Sequence, residues 1–151
     1  MKVGIAGLGT IGLVVARAID KGIEDMELVG VTVRDPDKAR SRMTGFKHPA
    51  AIMDARKLAD ASDIIVECVP KEAFRDIAEP ALRAGRLFIT VSGAGILANP
   101  DIVDLAKVHK ARIVLATGAL LGLDAVRAAA EGVVHEVRMV TRKPPNALKG
   151  A

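Results

Sequence analysis

The densest chemical signal in the chain is Gly7-Leu8-Gly9-Thr10-Ile11-Gly12. A short, largely β-branched run, Lys2 to Ala6, leads into it, and an amphipathic segment, Leu13 to Ile19, follows. Strand, glycine turn and helix in that order form the context in which Gly-x-Gly-x-x-Gly holds a dinucleotide. The three glycines do different things. Gly7 turns the chain off the strand, Gly9 lets a pyrophosphate approach the backbone without meeting a Cβ, and Gly12 lets the helix pack closely. The free N–H groups and the positive dipole end of that helix then face the phosphates. Gly7, Leu8, Gly9, Thr10, Ile11 and Gly12 are therefore the first candidate binding residues.

The next candidates lie where strands end. In dinucleotide folds an acid about 20 residues past the glycine turn bonds the adenosine ribose, and an arginine nearby accommodates a 2′-phosphate. Thr32, Val33 and Arg34 fall nearest that count, and the first acid is Asp35. Asp35 serves equally as a ribose ligand or as a turn and cap residue. With Arg34 beside it, NAD and NADP both stay open, NAD mildly preferred. Glu67, Cys68, Val69 and Pro70 end the clearest buried strand and fall where a cofactor would lie. Cys68 reads first as a small buried hydrophobe. Ser92-Gly93-Ala94-Gly95 is a second carboxyl-edge loop, whose glycines let a flat group lie on backbone. Thr117-Gly118-Ala119-Leu120-Leu121-Gly122 is a third. His48 reads as a loop histidine, His109 as a helix C-terminal residue and His135 as a rim residue. No metal site is expected.

The positioning elements follow from periodicity and punctuation. Strands are expected over Lys2–Ala6, Leu28–Val33, Asp63–Val69, Leu87–Val91 and Ala111–Ala116. Helices are expected over Thr10–Lys21, from Asp35 or Asp37 to Met43, over Met53–Ala59 and Lys71–Ala84, from an Asn99 cap through Lys110, and over Leu123–Ala130. Gly45–Ala51 reads as a loop. Val133 to Arg142 alternates like a half-exposed strand of a mixed or antiparallel sheet. The fold class is α/β: a Rossmann-type doubly wound parallel sheet, followed by the start of a truncated second α+β domain. The expected division is 1–118 for the dinucleotide-binding domain and 119–151 for the incomplete beginning of the substrate domain.

Composition narrows the function classes. The chain has 151 residues, half of them hydrophobic, with three phenylalanines and neither Trp nor Tyr. Small aliphatic cores of this kind suit parallel strands buried on both faces. The net charge of +4 is spread among 18 acids without a basic cluster, so nucleic-acid binding is not expected. One cysteine excludes an internal disulfide and fits a reducing compartment. No signal peptide and no apolar run of about 18 residues is present, so no membrane association and a cytoplasmic location are expected.

Together these pieces resemble the L-aspartate dehydrogenases, dinucleotide-utilising enzymes of NAD biosynthesis. The resemblance rests on Val3 to Gly12, on Val66-Glu67-Cys68, on the loop after the fourth strand, and above all on Thr117 to Ala125 and Thr141-Arg142-Lys143-Pro144-Pro145. It implies oxidation of L-aspartate to iminoaspartate with NAD or NADP, or the reverse amination. It implies that Gly7 to Gly12 hold the pyrophosphate and that Cys68, Ser92, Gly93 and Ala119 line the nicotinamide side. A homodimer is expected separately, because a sheet edge left bare by truncation invites pairing or aggregation. Two departures stand out: Leu121 replaces a glycine common in the family, and the acid after the second strand is displaced. The family's catalytic histidine belongs to a second domain continuing past position 151, and none of His48, His109 and His135 matches it. Lys71, Arg142 and Lys143 are the cations near a carboxyl edge that could hold substrate carboxylates. This segment is expected to bind cofactor and turn over little. Other two-domain dehydrogenases, of homoserine or dihydrodipicolinate type, and a non-catalytic nucleotide sensor are the alternatives.

Overall fold

The computed structural model describes residues 1–116, 122–140 and 142. The chain divides into two compact units, Met1–Ala116 and Thr117–Ala151. The first contains a six-stranded parallel sheet in the order β3-β2-β1-β4-β5-β6. In chain order its elements are β1 (Lys2–Ala6), α1 (Thr10–Gly22), β2 (Glu27–Thr32), α2 (Pro36–Arg42), β3 (Ala51–Ile52), α3 (Ala55–Ala61), β4 (Ile64–Glu67), α4 (Phe74–Arg83), β5 (Leu87–Thr90), α5 (Gly93–Ala98), α6 (Asp101–Val108) and β6 (Arg112–Leu115). A turn of 3-10 helix, Lys71–Ala73, leads into α4.

Alternation along the strands builds a core on each face of the sheet. Val3 and Ile5 of β1, with Ile64 and Val66 of β4, face Ala16 and Ile19 of α1 and Ala39 of α2. Ala6 and Ile65 face the other way, onto Leu58 of α3, Phe74 to Leu82 of α4 and Ile102 of α6. Register aligns Ile52, Val31, Ile5, Val66, Ile89 and Val114 in one row across all six strands. The helices answer with matching stripes: α4 buries Phe74, Ile77, Ala78, Ala81 and Leu82, one face of a 3.6-residue period. Phe74 meets Phe88 edge-on at 5.9 Å and 72°, a favoured aromatic geometry.

Four expectations need correction. The sheet has one strand more than expected, β3 at Ala51–Ile52, which begins at the last residue of the stretch read as a loop; two residues are too few to display alternation. Residues 133–140 form no strand and are exposed, because alternation becomes a strand only where a neighbour completes its hydrogen bonds; Thr141 lies outside the described residues. Ser92 to Gly95 is no open loop, since Gly93 begins α5. Gly95 serves packing: a Cβ there would sit 2.6 Å from the Phe74 ring. Asn99 does not cap α6. Its Nδ2 donates to the Gly95 carbonyl at 2.9 Å, closing α5 instead, and Pro100 stands at the α6 N-cap position without a side-chain cap.

In the second unit, α7 spans Leu123–Ala129 and starts from Gly122, whose φ is +79°. No helix among the described residues is long and apolar enough to cross a membrane.

Candidate functional site

After β1 the chain runs outward through β2 to β3, then crosses back to β4 on the other side of β1. At this reversal the connections leave in opposite directions and a crevice opens past the carboxyl ends of the strands. The ladder continues into the crevice floor: Gly7 N–H donates to Thr32 O and Cys68 N–H to Ala6 O, both at 2.8 Å. A cleft of about 1290 Å³ lies there, bordered by Gly7, Gly9, Arg34, Met53, Cys68 and Val91 among others.

The glycine turn is built as its spacing requires. Gly7 has φ +89°, a region open to glycine at little cost. A Cβ on Gly12 would sit 1.9 Å from the Gly7 carbonyl oxygen, so only glycine lets α1 start so close to the turn. Gly9 differs from both. Its φ of −75° suits any residue, and a Cβ there would meet no atom of the described residues within 4 Å. No contact among the described residues demands glycine at position 9, yet the position borders the cleft. Leu13 N–H makes the first helical bond, to Gly9 O at 3.1 Å, leaving the preceding N–H groups of α1 without intrahelical partners. Neither a capping side chain nor an acid stands in that first turn. An anionic group resting on Gly9 would supply the missing acceptors.

The strand ends contribute differently. Arg34 and Asp35 border the cleft. Asp35 Oδ1 accepts the Lys38 N–H at 3.0 Å, so the carboxylate caps α2, aided by Pro36 at the first helical position. Arg42 borders the cleft from the far end of α2 and donates through Nη1 to the Leu8 carbonyl, tying α2 to the glycine turn. Cys68 lines the floor half-buried. Burial, with Glu67 adjacent, pushes its thiol up to about 11. At neutral pH it is an uncharged, apolar lining group.

Beneath the floor sits a group whose role the residue pattern does not disclose. Glu67 is fully buried. Its Oε1 accepts from Val69 N–H at 2.7 Å and from Ser92 Oγ at 3.1 Å. Thr90 Oγ1 donates to Oε2 and itself accepts the Ser92 N–H at 2.9 Å. One carboxyl group thus ties together the carboxyl ends of β4 and β5. A glutamate closing a fully buried apolar strand is the signal for such a network, because a buried polar group must find partners. The partner itself comes from register, which sets Glu67 opposite Thr90.

Of the remaining candidates, Leu8 and Ile11 border the cleft, whereas Thr10, Gly12, Ser92, Gly93 and Lys71 are not among its lining residues. Ala119 and Lys143 lie outside the described residues, and Arg142 is exposed in the second unit. His48 is a loop residue whose backbone N–H donates to Asp20 Oδ1 at 2.8 Å. His109 closes α6, and His135 is exposed.

A doubly wound parallel sheet with a glycine turn and an open crevice at its point of reversal defines a Rossmann-type dinucleotide-binding domain. Residues 7–116 match the family model described as homoserine dehydrogenase, NAD binding domain, and the chain belongs to that family. It is 48% identical over 151 residues to L-aspartate dehydrogenase of Bradyrhizobium diazoefficiens, covering 100% of this chain and 54% of that protein. It is 39% identical over 152 residues to L-aspartate dehydrogenase 3 of Bordetella bronchiseptica, covering 100% of this chain and 56% of that protein. The chain therefore spans about half the length of these curated relatives. Among solved structures, apo scyllo-inositol dehydrogenase from Lactobacillus casei matches with a TM-score of 0.66 at 22% identity, over 87% of this chain and 40% of that one. That likeness is one of fold.

Proposed function

We propose that this chain is the cofactor-binding portion of an NAD(P)-dependent L-aspartate dehydrogenase. The observation that carries the binding reading is Gly9: a glycine that the protein's own packing does not need, at an uncapped helix start, bordering the cleft. A diphosphate laid on Gly9 explains all three, and the residues present fit such a group. The relatives named L-aspartate dehydrogenase, similar over the whole chain, favour aspartate over the homoserine or dihydrodipicolinate alternatives.

The bound nicotinamide would supply the hydride acceptor for the substrate α-carbon. The chain's own share is to bind and orient. Backbone N–H groups from Gly9 to Gly12 hold the diphosphate, Arg34 and Asp35 stand at the adenosine end, and Cys68 forms an uncharged wall. Ser92, Gly93 and Ala119 belong to the nicotinamide side in this reading. Residues 1–118 form the cofactor domain, and 119–151 begin the substrate domain. The full enzyme is a cytoplasmic homodimer acting in NAD biosynthesis, with its proton-transferring histidine on polypeptide beyond residue 151.

Titration of the 151-residue chain with NADH and NADPH, followed by nicotinamide fluorescence, tests the binding half. Saturable binding is expected. Aspartate-dependent NAD(P)H formation tests the remainder: negligible turnover is expected from this chain and robust turnover from a form extended to the length of the relatives. An extended form inactive on aspartate would refute the substrate assignment.

A further inference from the structure

We propose that the adenosine end of the cleft selects the 2′-phosphorylated cofactor, NADP(H), over NAD(H); this rests on the dinucleotide reading above. Discrimination at this end turns on charge. A carboxylate that chelates ribose hydroxyls repels a phosphate, whereas unpaired guanidinium and ammonium groups attract one.

Here the carboxylate is engaged elsewhere. β2 ends at Thr32 and is followed by Val33, which is packed against the core. The first acid, Asp35, accepts the Lys38 N–H at 3.0 Å as the cap of α2. The other acid of α2, Asp37, pairs with Arg40 at 2.6 Å, and neither of those two borders the cleft.

Cations, in contrast, are present and unpaired. Arg34, Lys38 and Arg42 all border the cleft. Among the described residues, none of the three has a carboxylate oxygen within 4.0 Å. They come from the loop after β2 and from both ends of the short helix α2. Arg42 is also held in place by its bond to the Leu8 carbonyl, which links this end of the cleft to the glycine turn. On the neighbouring wall Asp54 caps α3 through Lys57 N–H at 2.8 Å and has Lys57 Nζ 3.6 Å away, so that wall brings a cation together with its acid. Glu72 and Asp76 also border the cleft, but they belong to the segment after β4, on the other side of β1. Three cations against one cap-bound carboxylate form a site for a dianionic phosphate monoester.

The test is competition on the 151-residue chain. NADH and NADPH are titrated by fluorescence at about 0.1 M salt, and each is displaced with ADP or with 2′,5′-ADP. NADPH is expected to bind at least tenfold more tightly than NADH, 2′,5′-ADP to displace better than ADP, and the preference to shrink as salt rises. In Arg34→Ala/Lys38→Ala, two exposed positions, the NADPH-to-NADH affinity ratio should fall towards one while the circular dichroism spectrum stays that of the parent. Equal or tighter binding of NADH by the parent overturns the proposal and leaves the dinucleotide reading standing. A preference unchanged in the double variant overturns the assignment to these residues. Failure of both cofactors to bind overturns the dinucleotide reading itself.

Discussion

Replacing Glu67 separates hydrogen-bond acceptance from side-chain bulk beneath the cleft floor. Glu67→Ala removes the acceptor from Val69 N–H, Ser92 Oγ and Thr90 Oγ1 at once. Thr90 is fully buried, while Val69 and Ser92 are half-buried and can recruit water. An unpaired buried donor costs about 1–3 kcal/mol, and a partly hydrated one less. The sum is about 3 kcal/mol, a large share of the roughly 5–15 kcal/mol typical of a domain and equivalent to about 10 °C in Tm. In Glu67→Gln the amide oxygen can keep Val69 and Ser92 while the amide nitrogen turns to Thr90. The Thr90 hydroxyl must then aim its proton elsewhere, at a cost of about 1 kcal/mol. Urea unfolding followed by far-ultraviolet circular dichroism is the suitable assay, since the chain contains neither Trp nor Tyr. Stability should fall in the order parent, Gln, Ala. A loss below about 1 kcal/mol in Glu67→Ala, or equal losses in the two variants, would refute this reasoning, because acceptor count would then not decide the outcome.

Two further outcomes follow from titrating groups. Cys68, with its thiol pushed up to about 11, should react with iodoacetamide at pH 8 about a hundredfold more slowly in the folded chain than in urea, since the thiolate is the nucleophile; mass spectrometry over time measures this, and equal rates would contradict it. Asp20 accepts Lys47 N–H and His48 N–H, and the bond from His48 chiefly holds its carboxyl below the ordinary value of 3.8. A lowered folded-state pKa gives stability that is present above the unfolded value and lost as pH falls through the folded one. The gap in urea midpoint between the parent and Asp20→Ala should therefore be constant from pH 7 to about 5 and narrow below about 4; a gap that widens in acid would contradict the assignment.

Much of this architecture is legible in the residues, and the departures share physical causes. β1, the glycine turn and α1 announce themselves through an apolar run, fixed glycine spacing and the stripe Gly12, Ala16, Ile19. β4 is four buried residues in succession, the mark of a strand covered on both faces. β3 is hidden because Ala51–Ile52 carries no period, and the Gly30 and Val31 pairing that makes it a strand is non-local. At Asn99 a favoured N-cap residue precedes a proline, yet its amide closes the helix before it. Two compatible local patterns compete there, and tertiary packing decides. The cleft floor is legible where Glu67 to Pro70 end their strand, but the Glu67 network depends on which residue of β5 stands opposite. Over residues 133–140 the alternation is plain in the letters, and the described backbone forms no ladder for it to occupy.

The central claim, that the glycine turn holds a diphosphate on Gly9, is tested most directly by one pair of variants. Gly9→Ala places a Cβ where no atom of the described residues stands within 4 Å, whereas Gly12→Ala drives one to 1.9 Å from Gly7 O. Circular dichroism and cofactor titration of both variants should show Gly9→Ala folded, within about 1.5 kcal/mol of the parent, the cost of alanine at the α1 N-cap, yet binding NAD(P)H at least tenfold more weakly; Gly12→Ala should lose more stability. A folded Gly9→Ala chain that binds cofactor as tightly as the parent would contradict the account.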